Sequence, residues 1–463
     1  MRRSILTLAL ICCFTFFLGL GRPAISDSDE GFYAEAAREM VEGGDWLTPH
    51  FNYEERWQKP VLYYWLTAVT YVVAGPSEWA ARWWSALSGL GLVLLTWAAA
   101  RRMTTRDAAR DEAGWLAGAI VATCYGYFAM ARLALPDLPL TFFITLTIWS
   151  ALENRWIVAG IAAGLGLLMK GPVALAVPVM VLAPIWWRER RTTPIRAQDL
   201  AVAAAVCALV GLPWYGAMTF RHGAEYLQSF FVGDNLERFA TNRFNEPRAI
   251  WFYLPILIGG MLPWSLYLVT LPWRSVVRVA RRQRRLTDAE WRLLLWAFVP
   301  LLFFTISIGK QPRYILPVLP PLAILLARSI AMRTRNVDAA AHSGLAVATW
   351  GTAALYAVLA ILLYRAKPLF ITAYPTLTLI GVALIAASAL VHAWIAASRH
   401  WRRLPAIAAI CAAVLLISVQ FGTLAGTRSE PVEEMAALVR AHRISDEPVG
   451  TYQVFVRNLV FYT

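Results

Sequence analysis

The chain has 463 residues, 59% of them hydrophobic and 16% charged, with a mean hydropathy of +0.52. That composition excludes an ordinary soluble domain, because apolar runs of ~20 residues, the length that crosses a bilayer, recur from end to end. The net charge of +14 does not argue for nucleic acid as a partner. The arginines sit in short loops between apolar runs, as an inner-leaflet topology signal does, and no basic stripe interleaves with a soluble fold.

The first apolar run, residues 4–20, follows Arg2 and Arg3 and is long enough to span. No small-x-small cleavage site follows it, so it is read as the first span and not as a signal peptide. Next comes Ser26-Asp-Ser-Asp29-Glu30-Gly-Phe-Tyr33, opening a helical pattern that ends at Gly43-Gly44. Ser26 with Asp29 has the form of a capping box, and acids favour a helix N-terminus. A carboxylate at the mouth of a membrane cavity can also act as a general base or as an electrostatic partner of an acceptor. Asp29 and Glu30 are therefore catalytic candidates, with Tyr33 beside them. In Arg56-Trp57-Gln58-Lys59-Pro60, Lys59 either snorkels at the interface or neutralises a lipid phosphate.

Residues 61–74 decide the orientation. If this short Tyr- and Trp-rich run crossed the membrane, the Arg-rich loops at 101–113 and 272–289 would face outward, against the positive-inside rule. It is expected to lie in the interface as an amphipathic helix. Further spans are expected at 79–100, 114–132, 136–152, 156–170, 171–187, 199–219, 249–271, 290–309, 313–330, 344–364, 369–397 and 404–424, about thirteen in all. The N-terminus is then cytoplasmic, and the long loops 21–78 and 220–248 and the tail after 425 face outward with most of the chemical candidates.

Asp137, in Arg132-Leu-Ala-Leu-Pro-Asp137-Leu-Pro, lies within or beside paired spans, where an ionisable residue is costly and is a functional suspect. The structural alternative is a pairing of Asp137 with Arg132. Lys170, before Gly171-Pro172, is a similar case at another tight outer turn. The second loop reads Gly233-Asp234-Asn235-Leu-Glu237-Arg238-Phe239, followed by Arg243 and Arg248, and Lys310-Gln-Pro-Arg313-Tyr314 opens a later span from outside. One such cation reads as an interface anchor, but several facing one cavity do not. The five cysteines all lie in apolar runs without metal-ligand spacing and read as buried hydrophobes. At the C-terminus, a helical pattern at 431–442 and a strand-like run at 449–456 cannot bury their apolar faces alone. The expected division is a transmembrane catalytic domain, 1–425, and the incomplete start of a small extracytoplasmic α/β domain, 426–463.

The Asp-Glu pair after the first span, then Tyr-Ala-Glu, Arg-Glu-Met, Gly-Asp-Trp, Lys-Pro and a Tyr-Trp run, resembles the lipid A aminoarabinose transferase group, within the protein O-mannosyltransferase-like superfamily of GT-C enzymes. The likeness continues through Leu-Pro-Asp137-Leu-Pro, Lys170-Gly-Pro, Glu237-Arg238-Phe, Phe252-Tyr-Leu-Pro, Leu262-Pro-Trp and Lys310-Gln-Pro-Arg-Tyr314-Ile-Leu-Pro, covering about residues 1–330. The resemblance implies an all-α polytopic GT-C fold with outer juxtamembrane helices and a periplasmic C-terminal domain. It implies an undecaprenyl-phosphate sugar donor used with inversion in a bacterial inner membrane, with the active site facing the periplasm. It gives Asp29 the role of the essential first-loop carboxylate and Asp137 that of a second acid. Lys59, Arg238 and Tyr314 fall on positions that hold the carrier phosphate, and Arg56, Lys170, Lys310 and Arg313 are further substrate-binding candidates. The chain departs from the group just before the lysine, with Arg56-Trp-Gln-Lys59 where Tyr-Phe-Glu-Lys is usual, so the acceptor is left as a lipid A-like lipid, an envelope glycan or a protein.

The expected reaction is in-line displacement at the anomeric carbon, with the departing phosphate stabilised by Lys59 and Arg238. No cofactor is expected. Asp29, Glu30 and Asp137 could together offer oxygen ligands to a divalent metal, although a monophosphate leaving group can be handled by lysine and arginine alone. The rival reading is a transporter or flippase of lipid-linked sugar, which should show repeated halves and broken helices with midplane charges. The concentration of polar residues in the outer loops favours an enzyme.

Overall fold

The computed structural model describes the chain except residues 27–28, 105–106, 193, 242–247, 274–284, 337–338, 371–374, 423–430 and 444–455, with residues 107–108, 238, 339–341, 367–370, 375, 422 and 431 described by their backbone alone. Apolar sequence with good helix formers, in an environment without water to hydrogen-bond the backbone, folds as helices, and helices account for nearly all the described elements. The first, α1 (Arg2–Cys12), continues through a wide turn at Cys13–Phe17. The carbonyls left free at its end are capped by Arg132, whose Nη1 donates to Leu18 (2.9 Å) and whose Nη2 donates to Gly19 (2.9 Å). Arg132 is thus a structural clamp and does not pair with Asp137.

Helix α2 (Asp29–Gly43) leads to a small antiparallel hairpin, β1 (His50–Phe51) and β2 (Glu54–Glu55). Its turn residues Asn52 and Tyr53 have φ of 56° and 63°, and their amides donate to the two oxygens of Glu39 at 2.6 and 2.9 Å. The hairpin is therefore pinned to α2, and the chain leaves it directly into residues 56–59. Helix α3 (Leu62–Ala74) has 13 residues, ~20 Å of helix, too short for a ~30 Å hydrocarbon core. Tyr63 near its start bonds the Ala81 carbonyl and Ser85, while Thr70 accepts from Trp84. Both ends meet the same turns of α4 (Glu78–Met103), so α3 crosses that helix instead of running beside it.

The remaining helices are α5 (Asp107–Thr123), α6 (Tyr125–Ala131), α7 (Asp137–Leu152), α8 (Trp156–Lys170), α9 (Val173–Glu189), α10 (Ala197–Leu227), α11 (Glu237–Ala240), α12 (Tyr253–Gly260), α13 (Asp288–Ile306), α14 (Leu319–Thr334), α15 (Ala339–Phe370), α16 (Pro375–Ser398), α17 (Leu404–Gly422), α18 (Pro431–His442) and α19 (Leu459–Tyr462). Among the described residues, seven helices are long and apolar enough to cross a membrane, or up to nine if each sharply bent pair is one span. The expected run at 249–271 is one such pair: α12 and the 3-10 helix Trp264–Thr270 are bent by 103°, with Gly259, Gly260 and Pro263 at the break. Helices α7 and α8, at 16 and 15 residues, fall short of spanning length. Thirteen spans are therefore more than length alone supports.

Small residues let helices touch backbone to backbone. A Cβ on Gly160 of α8 would lie 2.6 Å from the Ala203 carbonyl oxygen of α10, and one on Gly164 would lie 2.9 Å from that of Cys207. Loops expected on one membrane side do meet one another: Arg292 pairs with Glu189 (2.6 Å), Arg335 with Glu112 (2.5 Å) and Arg102 with Glu153 (3.8 Å). At the other end, the C-terminal residues dock on α2 and its approach. Asn458 donates to the Ile25 carbonyl (2.8 Å), the Ile25 amide donates to the Tyr462 hydroxyl (2.8 Å), and Arg38 donates to the Val460 carbonyl (3.0 Å). The strand-like run at 449–456 lies outside the described residues except for Val456.

Candidate active site

A cavity of about 530 Å³ opens among the ends of these elements. The start of α2 contributes Asp29, Phe32 and Tyr33, and the segment after the hairpin contributes Arg56, Gln58 and Lys59. Asp137 begins α7, and Lys170 ends α8. The segment joining α13 to the next helical turn brings Ser307, Gly309, Arg313 and Tyr314.

These side chains form one ionic chain. Arg313 donates through Nη2 to Asp29, and its Nε lies 3.3 Å from Asp137 Oδ2. Lys170 donates to the other oxygen of Asp137, and its Nζ lies 4.8 Å from the centre of the Tyr314 ring. Burial pushes the Asp29 carboxyl up, but the Arg313 guanidinium, with Lys170 and Lys59, outweighs it and holds the group below the usual carboxylate range. Asp29 is therefore an anion over the working pH range and a weak base.

The far part of the cavity is apolar. Leu140, Thr141 and Ile144 lie on the Asp137 face of α7, and Val173 and Ala176 extend α9 beside them. Phe239, Phe303, Phe304 and Pro317 complete a greasy wall next to the charged end. A ligand with a charged head and a hydrocarbon tail fits this division, the head desolvated among paired charges and the tail against aliphatic and aromatic side chains.

Asp29, Asp137, Lys59, Tyr314, Tyr33, Arg56, Lys170 and Arg313, all named from sequence, line the cavity. Glu30, expected among the catalytic candidates, does not line it. It is wholly buried, with both oxygens taken by Arg82 (2.8 and 3.1 Å), the Ala134 amide (2.8 Å) and Ser26, whose amide and hydroxyl donate at 2.9 and 3.0 Å. Adjacent positions on a helix point ~100° apart, so Asp29 and Glu30 serve different sides of α2. Ser26 thus caps through Glu30 and not Asp29, and the three-carboxylate metal set does not assemble. Among the described residues, no group of three or more His, Cys, Asp or Glu side chains could hold a metal ion. Lys310 is buried away from the cavity and donates to the Arg248 carbonyl at 3.4 Å. The Arg238 side chain and Arg243 lie outside what is described, although Leu236 and Phe239 line the cavity on either side of Arg238. Sequence reasoning passed over Asp234, a buried acid lining the cavity, and the apolar wall. The recurrence of apolar residues three and seven positions after Asp137 was the available signal for the wall.

Residues 24–223 match the family model described as dolichyl-phosphate-mannose-protein mannosyltransferase. The chain is 36% identical over 384 residues to an undecaprenyl phosphate-alpha-4-amino-4-deoxy-L-arabinose arabinosyl transferase of Pseudomonas aeruginosa, covering 80% of this chain and 67% of that one. It is 30% identical over 443 residues to the corresponding Erwinia tasmaniensis protein, covering 88% and 74%. Among solved structures, ArnT from Cupriavidus metallidurans bound to undecaprenyl phosphate superposes with a TM-score of 0.80 at 24% identity, over 99% of this chain and 84% of that one. The Archaeoglobus fulgidus oligosaccharyltransferase superposes with a TM-score of 0.57 at 14% identity, over 98% and 61%. These similarities favour the transferase reading over the transporter one.

Proposed function

The chain belongs to the undecaprenyl phosphate-alpha-4-amino-4-deoxy-L-arabinose arabinosyl transferase family of membrane glycosyltransferases, and from that premise we propose that it transfers a sugar from undecaprenyl phosphate to an acceptor on the periplasmic side of a bacterial inner membrane. The observation that carries this reading is the junction, in one cavity, of a charged end built from Asp29, Arg313, Asp137, Lys170 and Lys59 with an apolar wall suited to a polyprenyl chain.

In the proposed reaction an acceptor oxygen attacks the anomeric carbon as the bond from that carbon to the phosphate oxygen breaks, with inversion. The electron pair of that bond leaves on undecaprenyl phosphate, which gains a negative charge. Lys59, which lines the cavity, meets the negative charge that grows on that phosphate in the transition state, in a site poor in water. Arg238 is the second cation that the family resemblance assigns to that phosphate. Asp29, held anionic by Arg313, orients the acceptor more than it deprotonates it. That division of labour suits an acceptor that already carries negative charge on its attacking oxygen.

The test is transfer by the purified full chain in nanodiscs from a radiolabelled undecaprenyl-phosphate aminoarabinose donor to a lipid A acceptor. Wild type should transfer label. Lys59→Ala and Asp29→Asn should each lose roughly 10²–10³ in turnover, the range for one electrostatic contact. A wild type that neither transfers label nor binds undecaprenyl phosphate would remove this reading.

A further inference from the structure

Arg56 differs from two other cations of the cavity, Arg313 and Lys170. Arg313 and Lys170 are committed to Asp29 and Asp137. Arg56 lines the same cavity but makes no ion pair with a carboxylate among the described residues. Its guanidinium instead lies over the Phe32 ring, 4.1 Å from the centroid, and its Nε donates to the Tyr64 hydroxyl at 3.3 Å. Both supports are firm. Phe32 sits on α2 three residues after Asp29 and packs edge-on against Phe51 of the hairpin (4.5 Å between centroids). Tyr64 is fully buried and stacked on Tyr33 at 5.3 Å.

An arginine fixed by stacking on one face and by a bond from Nε keeps its two terminal nitrogens as an open, planar fork. That shape matches a carboxylate or phosphate bidentately, and the ordering entropy of the side chain is already spent in the unliganded protein. A surface arginine anchoring an interface has no need of such bracing.

We propose that Arg56 is a specificity-determining residue, receiving a second oxyanion, additional to the carrier phosphate, that the substrates bring into the cavity. The chemistry is one carboxylate or phosphate group, carried either by the transferred sugar or by the acceptor. This rests on the transferase reading above and deepens it, since it assigns a charge to a substrate that the family alone leaves open. The lowered pKa of Asp29, held down by the Arg313 guanidinium, agrees with it, because a substrate oxyanion needs a cation near it and no strong base.

The experiment is ligand binding by the full chain in nanodiscs, comparing wild type with Arg56→Gln and Arg56→Lys. Undecaprenyl phosphate alone reports the carrier site. Lipid A and its enzymatically dephosphorylated form report an acceptor phosphate, and undecaprenyl phosphoglucuronate and phosphoglucose report a sugar carboxylate. Both variants should keep undecaprenyl phosphate affinity within about twofold. Arg56→Gln should weaken the charged member of one pair by roughly ten- to a hundred-fold, the worth of a charged hydrogen bond. The uncharged member should be unaffected, and Arg56→Lys should recover only part of the loss. The pair that responds identifies the source of the oxyanion. Equal weakening of undecaprenyl phosphate would put Arg56 in the carrier site, and unchanged binding of both charged probes would leave it without a substrate role; either result overturns the proposal. A wild type that fails to bind undecaprenyl phosphate instead defeats the transferase reading, so the two failures are distinguishable.

Discussion

Asp29 and Glu30 are chemically alike and adjacent, yet their surroundings give them different work. Asp29 lies at the cavity beside Arg313 and can be neutralised with little effect on packing. Glu30 is wholly buried with Arg82, and removing one partner leaves a buried charge unpaired, at a cost of about 3–5 kcal/mol. Glu30→Ala should therefore lower the midpoint of thermal unfolding sharply or abolish folded yield, whereas Asp29→Asn should unfold like wild type while losing transfer. A stable Glu30→Ala enzyme with impaired turnover would return Glu30 to the chemistry. Six positions after Asp29, Glu35 answers to pH. Burial pushes its carboxyl up, Arg38 pulls it back, and the neighbouring Glu39 raises it again, to about 7 from 4.5. The native state thus holds this proton more tightly than the unfolded chain does. The stabilisation is complete below about pH 4.5 and is lost as pH rises toward about 7. Unfolding midpoints measured from pH 5 to pH 8 should fall with rising pH, and Glu35→Gln, which cannot ionise, should flatten that slope. An equal slope in the variant would assign the pH dependence elsewhere.

At the scale of elements, the turn between α8 and α9 sets where Lys170 sits. Gly171 adopts φ 87° and ψ −154°, backbone that is essentially glycine's alone, and a Cβ there would lie 2.9 Å from the Phe230 ring. Gly171→Ala should cost about 1–3 kcal/mol of stability. It should also displace Lys170 from Asp137, lowering turnover more than it raises the KM for the donor, and steady-state kinetics with thermal unfolding would check both. Unaltered kinetics would mean that the turn does not position the lysine. Sequence made such turns visible, since Lys-Gly-Pro and Leu-Pro-Asp mark the ends of apolar runs. It also made visible the short, aromatic character of α3. What stayed hidden depends on direction within an element. The run from Asp29 to Glu30 gives no sign of which acid faces the cavity, because that is decided by Arg82, far along the chain. Nor does the hydropathy of 249–271 reveal a bend of 103°, since hydropathy counts apolar residues and is blind to the path between them. The structural alternative for Asp137, a pairing with Arg132, does not form, for the same reason. Arg132 is near in sequence, but the free carbonyls of the first span claim it.

At the scale of the whole molecule, two groups of loops lie at opposite ends of the helices. One group carries the arginines and is tied together by Arg292 with Glu189, Arg335 with Glu112 and Arg102 with Glu153. The other carries the cavity, the hairpin and the docked C-terminal residues, with Tyr462 bonded to both the Ile25 amide and Glu78. Because α3 crosses α4 and does not add a traverse, the hairpin stays on the cavity side while the Arg-rich turns fall on the other. In the proposed orientation, which follows the positive-inside rule, the arginines face the cytoplasm and the cavity faces the periplasm. Glu54 of the hairpin and Arg190 after α9 are both exposed and belong to opposite groups. In a background with the five native cysteines replaced by alanine, Glu54→Cys should react with a maleimide too polar to cross the inner membrane when it is added to cells with only the outer membrane opened. Arg190→Cys should react only once the inner membrane is also permeabilised. The reverse pattern would put the cavity in the cytoplasm, where a periplasmic acceptor could not reach Asp29, and both the orientation and the proposed reaction would fall together.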